Sequence, residues 1–194
     1  CQDGQILAND MSKYVQFMAQ KDFKVNENIQ AESVESLNLR EQIYNIVQNV
    51  KQFLQESDVV FPPDANLEIS HHYGINNFYN TGLTMITVVN REYCKKLLIA
   101  LPGQTHPEQY HKMKEETFVV LHGKVDLYLD DVQHKLSKGD VVTIKPGVKH
   151  KFETMDGCII EEVSSTHYTD DSYYVDPLIS QNENRKTFIA HWKD

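Results

Sequence analysis

The sequence predicts a mainly β domain, an antiparallel sandwich or barrel, with helices ahead of it. From Leu67 onward, short runs rich in Val, Ile, Leu, Phe and Tyr recur between turn residues, the pattern of many strands joined by tight connections. Within them Lys124-Val-Asp-Leu-Tyr-Leu129 alternates strictly, which puts Val125, Leu127 and Leu129 on one face of a strand. Upstream of Phe61, apolar residues instead recur every three or four positions, the period of a helix.

Taken in order, residues 1–35 are polar, and Asp10 can cap a short helix with Tyr14, Phe17 and Met18 on one face. Ser36 or Asn38 can cap a longer helix, in which Leu39, Ile43, Ile46, Val47, Val50, Phe53 and Leu54 form one stripe that ends near Ser57. That stripe predicts packing, onto a barrel or a partner subunit, and no chemistry. Phe61-Pro62-Pro63-Asp64 breaks the pattern, which divides the chain into a helical segment, 1–60, and a β domain, 61–194. Strands are expected at 67–72, 83–90, 96–101, 117–121, 124–129, 141–144, 150–153, 158–163 and 187–191. Turn residues separate them, among them Pro102-Gly103, His122-Gly123, Asp130-Asp131, Pro146-Gly147 and Asp156-Gly157.

A chain of 194 residues builds one domain with a real core. Its net charge of −9 repels phosphate backbones and argues against nucleic acid as a partner. It does not exclude an anionic small substrate, because a local basic pocket or a metal can dominate the nearby field. No apolar run reaches the roughly 18–20 residues of a membrane span, and the N-terminus lacks the basic and apolar blocks of a signal peptide. The three cysteines, Cys1, Cys94 and Cys158, form no CxxC pair, so no disulfide framework is expected and a reducing cytoplasm is. Cys158 lies in an apolar run and reads as a buried small side chain. A first residue of Cys rather than Met reads as a domain cut from a longer polypeptide.

The richest segment chemically runs from Gly103 to His150. Gln109 and His111 are two apart and face the same way on a strand. Glu116 follows, and Pro146-Gly147 makes the turn ahead of His150. Two imidazoles and a carboxylate converging on one point suit Mn, Fe, Co, Ni or Zn. The joint spacing His111-x4-Glu116-x6-Gly123, then Gly139-Asp140 and Pro146-Gly147-x2-His150, resembles the paired motifs of the cupin superfamily. The resemblance implies a cupin (jelly-roll) double-stranded β-barrel holding a divalent metal on His111, Glu116 and His150. Gln109 stands where that family usually has a histidine, and offers a weaker, neutral carbonyl oxygen. His106 is the alternative to it. Five residues separate His106 from His111, so that role requires a bulge, which Pro107 favours. His71, His72, His122, His134 and His191 read as surface or packing groups, with His134 in a charged loop.

Fold alone does not give a function. Gln109-Tyr-His-Lys-Met-Lys114-Glu-Glu116 places a lysine between two ligand positions, and Glu161-Glu162-Val163-Ser164 precedes Asp170-Asp171-Ser172-Tyr173-Tyr174. Both segments resemble the D-lyxose isomerase family of sugar isomerases. The resemblance implies aldose–ketose isomerisation, or epimerisation, of a small sugar: a metal polarises the carbonyl while a carboxylate carries a proton between C1 and C2. It selects Glu162 as that base, with Glu161 on the opposite face, and desolvation of an inward Glu162 would suit the task. Lys114 is expected to steady the enediolate oxygen, and His167 and Asp171 to close over the pocket and bind sugar hydroxyls. Ile69-Ser-His-His-Tyr-Gly74 and Asn90-Arg91-Glu92-Tyr93-Cys94-Lys95-Lys96 are also similar to the cupin region appended to sialic-acid-synthase-type enzymes. That likeness implies an upstream synthase domain in the same chain, with this domain either acting on a sugar precursor or binding a sugar and regulating its neighbour. A metal-dependent dioxygenase is a third reading, against which the polar Lys114, Glu162 and Asp171 argue. Cupins resembling this one pair, so a homodimer is among the expected states.

Overall fold

The computed structural model describes residues 27–62 and 65–192; Cys1 and the short helix expected after Asp10 lie outside them. The chain forms two compact units, 1–41 and 42–194. Of the first, the described residues are helical. The second takes in the last part of that helix and every strand.

Helix α1, Glu27–Ser57, begins ahead of the caps anticipated at Ser36 and Asn38. No Gly or Pro interrupts this stretch and its Glu, Gln and Ala residues favour helix, so the helix runs through both positions. It stops where the apolar stripe stops: Ser57 Oγ donates to the Leu54 carbonyl at 2.8 Å, and Asp58 turns left-handed at φ 57°. Ile46, Val47, Val50 and Leu54 bury against Leu67, Ile69, Ile86, Leu97, Ile99 and Ile159, so the stripe packs onto this chain's own sheet. Trp192 closes that core, stacked on Phe61 with ring centres 5.5 Å apart and donating from Nε1 to the Ala65 carbonyl at 2.8 Å.

The strands are β1 (Leu67–His71), β2 (Gly82–Asn90), β3 (Tyr93–Ala100), β4 (Thr105–Tyr110), β5 (Glu116–Leu129), β6 (Val132–Ser137), β7 (Val141–Ile144), β8 (His150–Glu153), β9 (Cys158–Ser165), β10 (Tyr173–Tyr174) and β11 (Lys186–Ile189). A short helix, α2 (Phe78–Thr81), precedes β2, and another, α3 (Pro177–Gln181), precedes β11. The strands run in the order β10-β4-β8-β5-β9-β3-β2-β1-β11, with β6 and β7 also on β5. Neighbours are antiparallel, and the curled array is the cupin-type jelly roll. Strands β6 and β10 were not anticipated, β4 was expected only as the strand carrying Gln109 and His111, which ends at Tyr110, and His134 lies on β6 rather than in a loop.

The two strands expected on either side of His122-Gly123 are one strand. The first half of β5 pairs with β7 and β9, and the second with β6 and β8. Register slips between Val120 and His122, and Gly123 takes φ 76° beside the Gly157 backbone. A left-handed glycine at a bulge bends the strand without reversing it.

Alternation then sorts the side chains. On β3, Leu97 and Ile99 face α1, while Leu98 and Ala100 face the barrel interior. Antiparallel register sets Ala100 against Cys158, Leu98 against Ile160 and Lys96 against Glu162. The interior is thereby divided along the strands. Leu83, Val120, Val125, Leu127, Phe152 and Ile160 fill one end, and buried Lys96, Lys114, Glu116, Glu162, His111 and His150 occupy the other. Cys94 and Cys158 are free and buried. Among the described residues no helix is long and apolar enough to cross a membrane.

Candidate active site

His111 follows the end of β4, Glu116 opens β5 and His150 opens β8. One donor atom from each lies within 4.8 Å of the others. His150 Nε2 is 3.0 Å from Glu116 Oε1, and His111 Nε2 is 3.6 Å from Glu116 Oε2. The tautomers follow from the other ring nitrogens. His111 Nδ1 lies 2.5 Å from the Asp171 carbonyl and His150 Nδ1 lies 3.1 Å from that of Val148. A carbonyl only accepts, so each Nδ1 carries a proton, and in the neutral form of either ring Nε2 is left with a lone pair toward Glu116. Burial lowers the pKa of His111 in spite of the neighbouring Glu116 carboxylate, which keeps the ring neutral. Burial acts in the opposite sense on Glu116 and is the largest single influence, yet the Lys114 ammonium, His150 and His111 together outweigh it and hold the carboxyl well below its ordinary range.

Lone pairs converging on a buried carboxylate are a donor set that calls for a cation. His111 Nε2 and Glu116 Oε1 are buried without a hydrogen-bond partner, a costly state for polar atoms that a divalent metal removes. The mixed nitrogen–oxygen set fits such an ion.

Gln109 sits directly opposite His150 in the β4–β8 pair. Its Nε2 is 3.4 Å from His150 Nε2, and its Oε1 is buried without a partner. A half-turn of the amide exchanges the two atoms and presents the carbonyl oxygen to the cluster. The register shift required for His106 exists, between His106 and Gln109. His106 lines the pocket, yet its ring stacks on Phe152, centres 4.9 Å apart, and stands edge-on to His72 at 5.0 Å. It lies outside the three-residue cluster, and burial pushes its pKa well down, leaving it neutral.

Lys114 is 4% exposed. Its Nζ is 2.5 Å from Glu116 Oε2 and 2.8 Å from Glu162 Oε1. Burial would lower its pKa, but the two carboxylates raise it above the ordinary lysine range. Glu162 faces inward and accepts a further hydrogen bond from Ser164 Oγ at 3.2 Å. Glu161 faces out and pairs with Lys95 at 2.6 Å. The Lys114 ammonium thus stands directly against the inward Glu162 carboxylate.

His167 lines the pocket, its segment tethered by two hydrogen bonds between its backbone and the Asn90 side chain, both 3.0 Å. Burial, reinforced by the charges of Lys96, Lys114 and Lys186, lowers its pKa to about 3. Asp171 is placed differently from the sugar-binding role expected of it. Its carboxylate accepts from the amides of Lys112 at 2.9 Å, Met113 at 3.1 Å and Lys114 at 2.9 Å, and its carbonyl accepts from His111. These bonds commit both oxygens of the side chain to the loop between His111 and Glu116.

Several pocket residues were not expected there, among them Lys96 on β3, Tyr174 on β10, and Arg185 and Lys186 where the chain enters β11. Lys96 carries a signal, since it alternates with Leu98 and Ala100 on the inward face of an apolar strand. The others arrive by long-range pairing of short terminal strands, which no local pattern announces. Tyr174 belongs to a chain of hydrogen bonds through His72, whose Nδ1 donates to the Thr81 carbonyl at 2.6 Å and whose Nε2 accepts from the Tyr174 hydroxyl at 3.0 Å.

Residues 97–157 match a family model described as the cupin domain. The D-lyxose/D-mannose isomerase of Thermosediminibacter oceani is 29% identical over 173 residues, spanning 73% of this chain and 95% of the relative. The D-lyxose ketol-isomerase of Cohnella laeviribosi is 32% identical over 138 residues, spanning 56% of this chain and 76% of the relative. Among solved structures, Cellulomonas parahominis L-ribose isomerase with L-ribose superposes with a TM-score of 0.61 over 73% of this chain and 94% of that one, at 13% identity. That likeness is one of fold.

Proposed function

The chain belongs to the D-lyxose ketol-isomerase family of cupin enzymes, and from that premise we propose that it interconverts an aldose and its ketose in a metal-dependent reaction, on sugars of the D-lyxose and D-mannose kind. The observation that carries this reading is the Lys114 ammonium shared by Glu116 and Glu162. It ties a buried carboxylate base to the group of metal-ligating residues.

His111, Glu116 and His150, with Gln109 as a fourth donor, would hold the metal. A divalent cation supplies Lewis-acid polarisation of the sugar's carbonyl. Glu162 removes the proton from C2 of the aldose; the C–H electron pair becomes the C1–C2 double bond and the carbonyl pair moves to O1. The same carboxyl returns its proton to C1, while the O2 hydroxyl proton passes to O1 and leaves the carbonyl at C2. Lys114 fixes the angle of Glu162 and sets a positive charge beside the developing enediolate.

Replacing Glu162 with Gln keeps the shape and removes the base. Glu162→Gln is expected to retain its metal, measured by elemental analysis, and to lose about 100- to 10,000-fold in kcat for D-lyxose or D-mannose followed by NMR. Turnover equal to that of the unaltered protein removes Glu162 from the mechanism. Sugar binding with no conversion of either aldose by the unaltered, metal-loaded protein favours the regulatory reading instead.

A further inference from the structure

The pocket holds more positive charge than isomerisation of a neutral sugar uses. Lys96, Lys114, Arg185 and Lys186 line it against only two carboxylates, Glu116 and Glu162, in a chain whose net charge is −9. Lys114 is matched to both of those carboxylates. Lys186 is matched to Glu68 at 2.7 Å, outside the pocket lining.

Lys96 and Arg185 are not matched in this way. Lys96 is 4% exposed, and among the described residues it makes no ion pair and no side-chain hydrogen bond. The opposite charge nearest to it in register is Glu162, directly across the β3–β9 pair. The Oε1 of that residue already accepts from Lys114 and Ser164. Burial lowers the Lys96 pKa, and the attraction of Glu162 offsets this only in part. The Arg185 guanidinium lies 5.1 Å from the centre of the Tyr174 ring, and among the described residues no carboxylate pairs with it. Lys96 is thus a desolvated cation with no close counter-charge, an expensive state, while the half-buried Arg185 brings a further positive charge to the same lining. In a binding pocket the natural remedy is a ligand that brings the missing negative charge. The hydroxyls of Ser70, Thr169 and Ser172 also line this pocket and can donate to the same group.

Building on the isomerase reading, we propose that the preferred substrate is an acidic sugar, an aldose carrying a phosphate or a carboxylate on a carbon that the isomerisation leaves alone, and that Lys96 and Arg185 bind that group. Charge-assisted hydrogen bonds to a planar guanidinium and a buried ammonium suit either anion.

Calorimetric titration of the metal-loaded protein with D-mannose, D-mannose 6-phosphate and D-mannuronate tests this. At least one acidic sugar is expected to bind about ten to a hundred times more tightly than D-mannose, and the tighter of the two tells phosphate from carboxylate. Lys96→Met and Arg185→Gln are each expected to cut that preference about tenfold. If D-mannose binds as tightly as both acidic sugars, or neither acidic sugar binds, the proposal is overturned whatever the variants do. Following the same ligands by NMR separates this inference from the one beneath it. Conversion of neutral sugars with no acidic preference removes the acidic substrate and leaves the isomerase standing. Tight binding of an acidic sugar that is never converted removes the isomerase reading and leaves Lys96 and Arg185 as an anion-binding site only.

Discussion

Asp171 and Lys114 show what decides the role of a single charged side chain. Both lie in polar segments, where a carboxylate or an ammonium is normally solvated. Three consecutive backbone amides, those of Lys112, Met113 and Lys114, claim the Asp171 carboxylate, and the Asp171 carbonyl fixes the His111 tautomer. Asp171 is thus placed to position the candidate metal site, through His111 and the loop leading to Glu116. An Asn there offers one acceptor oxygen in place of two and turns an amide N–H toward backbone donors. Asp171→Asn is expected to weaken metal affinity about 10- to 100-fold, measured by competition with a chelator, and unchanged affinity would refute the positioning role. The residues of the cluster were legible because His111, Glu116 and His150 keep a fixed spacing within motifs. Lys114 and Glu162 were legible only through likeness to a family. The placement of Asp171 was not legible because its partners are main-chain amides, which look the same in every sequence.

At the level of elements, what the sequence made plain was periodicity, and what it concealed was continuity. The three- and four-residue spacing from Ile43 to Leu54 locates the face of α1 that packs and its end near Ser57. It says nothing of the turns ahead of Ser36, which carry no such stripe and are helical all the same. Strict alternation announced the second half of β5, but His122-Gly123 read as a reversal of direction. The same dipeptide chemistry serves a turn or a bend, and the choice depends on whether a partner strand continues past it. Here β9 pairs with β5 on both sides of the slip, through Val120 and again through His122 and Gly123. The close approach of the Gly157 backbone leaves no room for a Cβ at Gly123. Gly123→Ala therefore meets a positive φ and a steric clash together. It is expected to destabilise the domain by more than about 1 kcal/mol, read as a lower midpoint in denaturant with an unchanged slope. A midpoint within error of the unaltered protein would mean that β5 can bend without a left-handed residue.

Across the whole molecule, composition described the outside and hid the inside. An acidic chain encloses a pocket in which cations outnumber carboxylates two to one, because strand alternation and antiparallel register, rather than bulk charge, choose which residues meet in the barrel. The barrel unites two cores, one under α1 and one inside the sheet, and the cluster of His111, Glu116 and His150 joins β5 and β8 at the open end of the second. A cation held there links strands far apart in sequence, and it binds the folded chain in preference to the unfolded one, in which those donors are dispersed. Stability should then rise with the free metal concentration by mass action. At a hundredfold excess over Kd the gain is about 2.7 kcal/mol, which for a domain of this size raises Tm by roughly 5–11 °C. Thermal unfolding of the chelator-treated protein, repeated with added Mn, Zn, Fe, Co or Ni, measures that shift for each ion. His150→Ala is expected to abolish it, since the site loses one of its two imidazoles. An equal rise in the variant would place the stabilising ion elsewhere on the acidic surface, and no rise with any of the five would remove the metal from this pocket.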